Sequence, residues 1–241
     1  MDDIIEGVWF IPGRDEFIPD SHSYILGRPS SHDFSLVDPG LIGKGEDKIQ
    51  SIQAMGIRLE DVKRIIMTHT HLDHIGCLPE LKNHLPWAEL WIHELEAAPL
   101  EQGDERIIYG LDMFRHMCQQ QYGLKPGGFA FQVDKRLRGD ENVNLGGTPW
   151  EVLHIPGHSP GSIALYNAHE KVLIPGDVVY ADYAIGRFDL HKADGAKLKK
   201  SLRKLAQLEV EILLPGHNRI VKNLSPGYIL ETARQWEPYL V

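Results

Sequence analysis

The chain has 241 residues, enough for one large domain with its own core, and its 42% hydrophobic and 24% charged content is that of an ordinary globular protein. Lys and Arg total 25 against 34 for Asp and Glu, a net charge of −9 that works against nonspecific binding to phosphate backbones or anionic lipid. Two cysteines exclude a disulfide scaffold, whereas 13 histidines outnumber both Tyr (8) and Phe (7) and direct attention to metal or acid–base chemistry.

The N-terminal run Met1-Asp2-Asp3-Ile4-Ile5-Glu6 carries acid where an export signal carries positive charge. No apolar run reaches the ~18 residues of a spanning helix, so a cytoplasmic protein is expected. Short apolar runs at Val8–Ile11, Ser23–Leu26 and Phe34–Val37, each closed by turn residues, predict a β-meander. Ile49, Ile52 and Met55 fall on one face of a helix at about Gly45–Met55, with Gly56 as its C-terminal cap. A strand at Val62–Met67 runs directly into Thr68-His69-Thr70-His71. A helix at about Ile75–His84 and a strand at Leu90–Ile92 follow, and then a mostly helical insertion at about 94–140. Strands return at Glu151–His154, Ser162–Tyr166, Lys171–Ile174 and Glu211–Leu214. A helix at about Gly195–Leu208 carries Leu198, Leu202 and Leu205 on one face, leaving its lysines as a solvated face. Nothing resembles a linker or a short repeat, so a single α/β domain over residues 1–241 is expected.

The segment His69-Thr70-His71-Leu72-Asp73-His74 is the strongest chemical signal. Residues i and i+2 of an extended chain point to the same side, so His69 and His71 can address one cation, while Asp73 and His74 address a second as the chain leaves the strand. Four ligands cannot complete two metal shells, and further candidates stand at other strand ends. They are His158 in Pro156-Gly157-His158-Ser159-Pro160-Gly161, Asp177 in Ile174-Pro175-Gly176-Asp177, His217 in Leu214-Pro215-Gly216-His217, and Asp38 in Val37-Asp38-Pro39-Gly40. Imidazole and carboxylate donors suit zinc, iron and manganese. His93 looks ligand-like but is read as structural, and His22, His32, His84, His116, His154, His169 and His191 show no metal spacing. Cys77 and Cys118 are read as inert thiols, and Trp9, Trp87, Trp91, Trp150 and Trp236 as core packing.

Taken in order, these five motifs resemble those of the metallo-β-lactamase-fold superfamily over about residues 4–220. The resemblance implies an αββα sandwich, two mixed β-sheets packed face to face with helices on both outer sides. It implies two divalent cations, zinc favoured and iron or manganese compatible. His69, His71 and His158 would hold one, and Asp73, His74 and His217 the other, with Asp177 bridging and Asp38 orienting the ligands from behind. A metal-bridging hydroxide would then attack a carbonyl, with Asp73 orienting it and Tyr180, three residues after Asp177, donating a hydrogen bond to the oxyanion or leaving group.

The bridging carboxylate sets the chain apart from true metallo-β-lactamases. Gly186-Arg187-Phe188-Asp189-Leu190 resembles the G-R-x-D-L of glyoxalase II-like hydrolases, and Tyr180 matches a tyrosine of acyl-homoserine lactonases. Glyoxalase II proper continues past its last histidine into a long helical domain, whereas 24 residues follow His217 here, which argues against a glutathione thioester; the expected substrate is a small molecule with an ester-like bond, thioester or lactone. A mononuclear iron persulfide-type dioxygenase of the same fold is the alternative. A phosphodiesterase or RNA-processing nuclease is disfavoured by the net charge, and neither nucleic acid nor membrane is expected as a partner. Monomer and homodimer both fit. In the insertion, Tyr109, Met113, Phe114, Met117, Tyr122, Phe129 and Phe131 either pack it onto the sandwich or form a lid.

Overall fold

The computed structural model describes residues 3–14 and 18–241. Its contacts divide the chain into two units, Met1–Arg136 with Asn144–Thr148, and Leu137–Val143 with Pro149–Val241.

The first sheet consists of β1 (Val8–Ile11), β2 (Ser23–Leu26), β3 (Phe34–Val37), β4 (Val62–Ile66), β5 (Glu89–His93) and β6 (Lys135–Leu137), in that order. The first three strands pair antiparallel through short connections, whereas β3, β4 and β5 run parallel and need helical crossovers. The first crossover holds α1 (Gly45–Ala54), the second α2 (Leu72–Ile75) and α3 (Leu78–His84). Parallel strands joined this way end at one edge of the sheet, which places Asp38 after β3 beside the loop after β4. The Asp38 amide donates to the Ile66 carbonyl at 3.0 Å. Strands β2 and β3 are buried at every position, so their apolar runs show no alternation.

Two expectations need correction in this unit. The single helix at Ile75–His84 is instead two helices that break at Gly76-Cys77. There the chain leaving β3 crosses: Gly40 donates to the His74 carbonyl at 2.7 Å, and Cys77 donates to the Gly40 carbonyl at 2.8 Å. Gly76 is required by that crossing, because a Cβ would lie 2.4 Å from the Ile42 nitrogen. Trp87 is half exposed rather than core, its indole N–H donating to the Val62 carbonyl at 3.1 Å. The insertion is helical at α4 (Glu94–Glu101) and α5 (Leu111–Tyr122), but it also supplies the edge strand β6, which the sequence pattern did not announce.

The second sheet has the order β12-β11-β10-β9-β8-β7, from β7 (Asn142–Leu145), β8 (Thr148–His154), β9 (Ile163–Asn167), β10 (Val172–Ile174), β11 (Ile212–Leu213) and β12 (Val221–Lys222). Its β10–β11 pair is parallel, while β8–β9, β9–β10 and β11–β12 are antiparallel. The crossover carries α6 (Gly195–Leu205), which buries Leu198, Leu202 and Leu205, exposes Lys197, Lys200, Arg203 and Lys204, and is capped by the Asp194 carboxylate accepting from the Lys197 amide at 2.9 Å. A last helix, α7 (Tyr228–Trp236), packs on α6. Two mixed six-stranded sheets with helices give the α/β sandwich class expected. Among the described residues no helix is long and apolar enough to cross a membrane.

Candidate metal centre

In the first unit the histidines lie on the loop after β4 and on the short helix α2. The His69 ring centroid is 4.5 Å from that of His71 and 4.0 Å from that of His74. Ligand atoms of His69 and His71 lie within 4.8 Å of each other, as do those of Asp73 and His74. Imidazoles this close repel one another when protonated, and when neutral they offer converging lone pairs, an arrangement a cation satisfies.

The ring orientations follow from the groups behind them. Asp38 Oδ1 accepts from the Thr68 amide at 2.7 Å, while Oδ2 accepts from the Thr68 hydroxyl at 2.6 Å and from His74 Nδ1 at 2.9 Å. A carboxylate only accepts, so His74 carries its proton on Nδ1 and keeps the Nε2 lone pair. The Thr68 hydroxyl spends its single proton on Asp38, so at 3.0 Å it accepts from His69 Nδ1 and leaves the His69 Nε2 lone pair as well. One buried aspartate therefore sets two rings. Asp38 adopts a left-handed φ of 52°, a conformation that aspartate tolerates better than most residues.

Beneath the loop, the Thr70 hydroxyl donates to Glu96 Oε2 at 2.9 Å, and Glu96 is fully buried in α4. The insertion also touches His71: the Tyr109 ring lies 5.2 Å from it, and the Tyr109 carbonyl accepts from the Leu72 amide at 3.0 Å. Phe129 is buried, and Phe114, Met117 and Phe131 pack on the same core, whereas Met113 and Tyr122 are exposed. His93 caps α4, its Nδ1 accepting from the Leu95 amide at 3.3 Å. Burial pushes the Cys77 thiol well above its usual range and raises that of Cys118, consistent with unreactive cysteines.

In the second unit the parallel β10–β11 pair brings Asp177 and His217 together. The Leu214 amide donates to the Leu173 carbonyl at 2.8 Å, and Gly216 to the Gly176 carbonyl at 2.9 Å, so both strand ends deliver their next residue to one place. Asp177 Oδ2 lies 3.5 Å from His217 Nε2 and 3.6 Å from His158 Nε2. His158 Nδ1 donates to the Arg187 carbonyl at 2.8 Å, so its Nε2 is the nitrogen that carries a lone pair. Tyr180 lies beside this group, with its ring centroid 6.3 Å from that of His217. The loop that carries it is held by the Tyr180 amide donating to the Ala184 carbonyl at 2.9 Å and by the Tyr228 hydroxyl donating to the Tyr180 carbonyl at 3.0 Å.

Sequence reasoning missed the supporting roles of four residues. Thr68 and Glu96 act through side chains whose partners are distant in sequence. Gly186 and Arg187 serve through the backbone: the Arg187 carbonyl sets His158, and a Cβ on Gly186 would lie 1.8 Å from the Asp177 carbonyl oxygen and 2.9 Å from His158 Nδ1. The Gly186→Ala protein should therefore be destabilised by about 1–3 kcal/mol in urea unfolding, the usual cost of overpacking, and should bind metal more weakly. Unchanged stability and metal content would show that the loop relaxes freely.

The Metallo-beta-lactamase superfamily profile matches residues 20–217, and the chain belongs to that superfamily. It is 34% identical over 187 residues to the hydroxyacylglutathione hydrolase GloC of Haemophilus influenzae, covering 76% of this chain and 79% of that one. Among solved structures it resembles BLEG-1, a B3 metallo-beta-lactamase, with TM-score 0.67 and 25% identity over 92% of this chain and 94% of that one. It also resembles TTHA1623 in a di-iron-bound form, with TM-score 0.63 and 27% identity over 84% and 89% of the two chains. These likenesses and the His/Asp clusters make the protein a metallo-hydrolase of this superfamily.

Proposed function

We propose that the protein is a cytoplasmic dinuclear hydrolase that cleaves a thioester or lactone bond in a small molecule, its two units working as one domain. The observation that carries this reading is the fixed tautomer of three histidines: Asp38 behind His74, Thr68 behind His69 and the Arg187 carbonyl behind His158 all occupy Nδ1. Side chains held in this way suit divalent metal. His69, His71 and His158 would hold one ion and Asp73, His74 and His217 the other, with Asp177 shared. Zinc fits these donors and so does iron, which the di-iron form of TTHA1623 supports. Bound there, the ions would supply positive charge for an oxyanion and a water acidic enough to ionise near neutral pH.

The chain's own residues do the remaining work. Asp73, with 24% of its side chain exposed beside the fully buried His74, can accept a proton from the attacking water and orient it. Tyr180, whose ring lies 6.3 Å from that of His217, would donate its hydroxyl proton to the developing oxyanion or leaving group. The Tyr180→Phe protein is expected to lose at least about tenfold in kcat with metal content unchanged, measured by steady-state kinetics and metal analysis. An unchanged rate removes Tyr180 from the reaction. A thioester is preferred to a β-lactam because the identity to the hydroxyacylglutathione hydrolase is 34%, against 25% to the B3 metallo-beta-lactamase. The test is a panel of thioester, lactone, phosphodiester and β-lactam substrates, and hydrolysis of β-lactam alone would overturn the reading.

A further inference from the structure

The loop that carries Tyr180 continues into an exposed aromatic corner that plays no part in metal binding. A concavity of about 550 Å³ is lined by Asp182, Tyr183, Ala184, Gln235, Trp236 and Tyr239, all in the second unit. Tyr239 is 65% exposed and Tyr183 38%. The Trp236 and Tyr239 ring centroids are 6.0 Å apart with their planes inclined at 65°. A flat ring stacked on one of them meets the other edge-on, the two geometries that aromatic pairs prefer.

This corner is braced. Asp182 and Tyr183 are consecutive non-glycine residues with left-handed φ values of 58° and 57°, and for a bulky tyrosine that conformation is costly. It persists because three contacts impose it. The Tyr183 amide donates to the Tyr228 hydroxyl at 2.7 Å, the Tyr183 carbonyl accepts from Trp236 Nε1 at 2.8 Å, and the Tyr183 ring stacks on Tyr228 at 4.5 Å. The same Tyr228 hydroxyl donates to the Tyr180 carbonyl, so one side chain joins the corner to the loop beside His217.

We propose that this corner is a substrate subsite that holds a planar aromatic or heteroaromatic ring at the end of the substrate remote from the scissile bond. This proposal deepens the hydrolase reading and rests on it for the word substrate. The concavity is open to solvent and suits one end of a ligand rather than the whole of it, and the Gln235 amide and Tyr239 hydroxyl among its lining residues suit the polar edge of a heterocycle. A second copy of the chain is a poorer occupant, because a stable interface takes about 20–30 residues a side and this patch offers a handful.

The test uses two thioesters with the same acyl group and the same aliphatic thiol arm, one capped by a phenyl ring and the other by a methyl group. The wild type should show a KM several-fold lower for the ring-capped compound. Trp236→Ala and Tyr239→Ala should both abolish that preference, and Tyr239→Ala, which breaks none of the bracing contacts, should leave kcat, metal content and the methyl-capped KM within about twofold. Tyr239 is exposed enough that its truncation leaves the fold intact if Trp236→Ala does not fold. Titration of metal-stripped protein with the non-hydrolysable thioether of the ring-capped compound reads the corner without turnover. Binding lost in both variants supports the subsite even if no thioester is hydrolysed. No ring preference and no thioether binding in the wild type overturn it, as does a dimer that the two substitutions dissociate without changing KM.

Discussion

The Asp177→Asn protein is expected to fold as the wild type does, to retain at most about half of its metal, and to lose at least about 100-fold in kcat. The amide replaces the carboxylate with almost no change in volume, so packing at the ends of β10 and β11 is preserved. What disappears is a negative charge set between two imidazoles, since Asp177 Oδ2 stands 3.5 Å from His217 Nε2 and 3.6 Å from His158 Nε2. If the proposed pair of ions shares residue 177, a neutral amide there would leave their mutual repulsion uncompensated, and one ion would be lost. Metal quantification on both proteins and kcat on the best ester substrate check this outcome. Full metal content with full activity would remove Asp177 from the centre.

The second large effect is expected behind the ligands. Asp38→Asn should keep near-wild-type thermal stability yet weaken metal binding by about 10–100-fold, the usual effect of removing a group that orients a ligand. Asparagine tolerates the left-handed φ of 52°, and its amide oxygen still accepts from the Thr68 amide in place of Oδ1. Its NH2 group, however, now faces His74 Nδ1, where Oδ2 accepted a proton. His74 answers by moving its proton to Nε2, which closes the lone pair meant for metal. Metal titration with calorimetry and a thermal melt separate the two effects. Loss of stability with unchanged metal affinity would make Asp38 a structural residue only. Asp38→Ala should be worse on both counts, because it orphans three buried donors at about 1–3 kcal/mol each.

Elements with a strong local signature were legible in the sequence. The apolar strands β2 and β3, the helix α1 with Gly56 at φ 78°, and the leucine stripe of α6 all appear within a residue or three of the expected bounds. The short edge strands β6 and β12 were not, because two or three residues carry no periodicity and pairing alone defines them. Helix α7 had a readable pattern in Ile229, Thr232, Ala233 and Trp236, but its Thr and Ala weaken the apolar signal. The break between α2 and α3 was invisible because its cause is the chain from β3 crossing at Gly40. The ligand candidates stood out by residue type and place at strand ends. Of their supports only Asp38 did, since Thr68, Glu96 and the Arg187 carbonyl are ordinary groups until the fold sets them against the histidine loops.

Metal content of protein purified without added metal, read alongside hydrolysis of a thioester, bears most directly on the proposal. About two equivalents of zinc or iron per chain, with turnover lost on chelation and restored by metal, is the expected result. About one iron per chain with oxygen consumption and no thioester cleavage would contradict it.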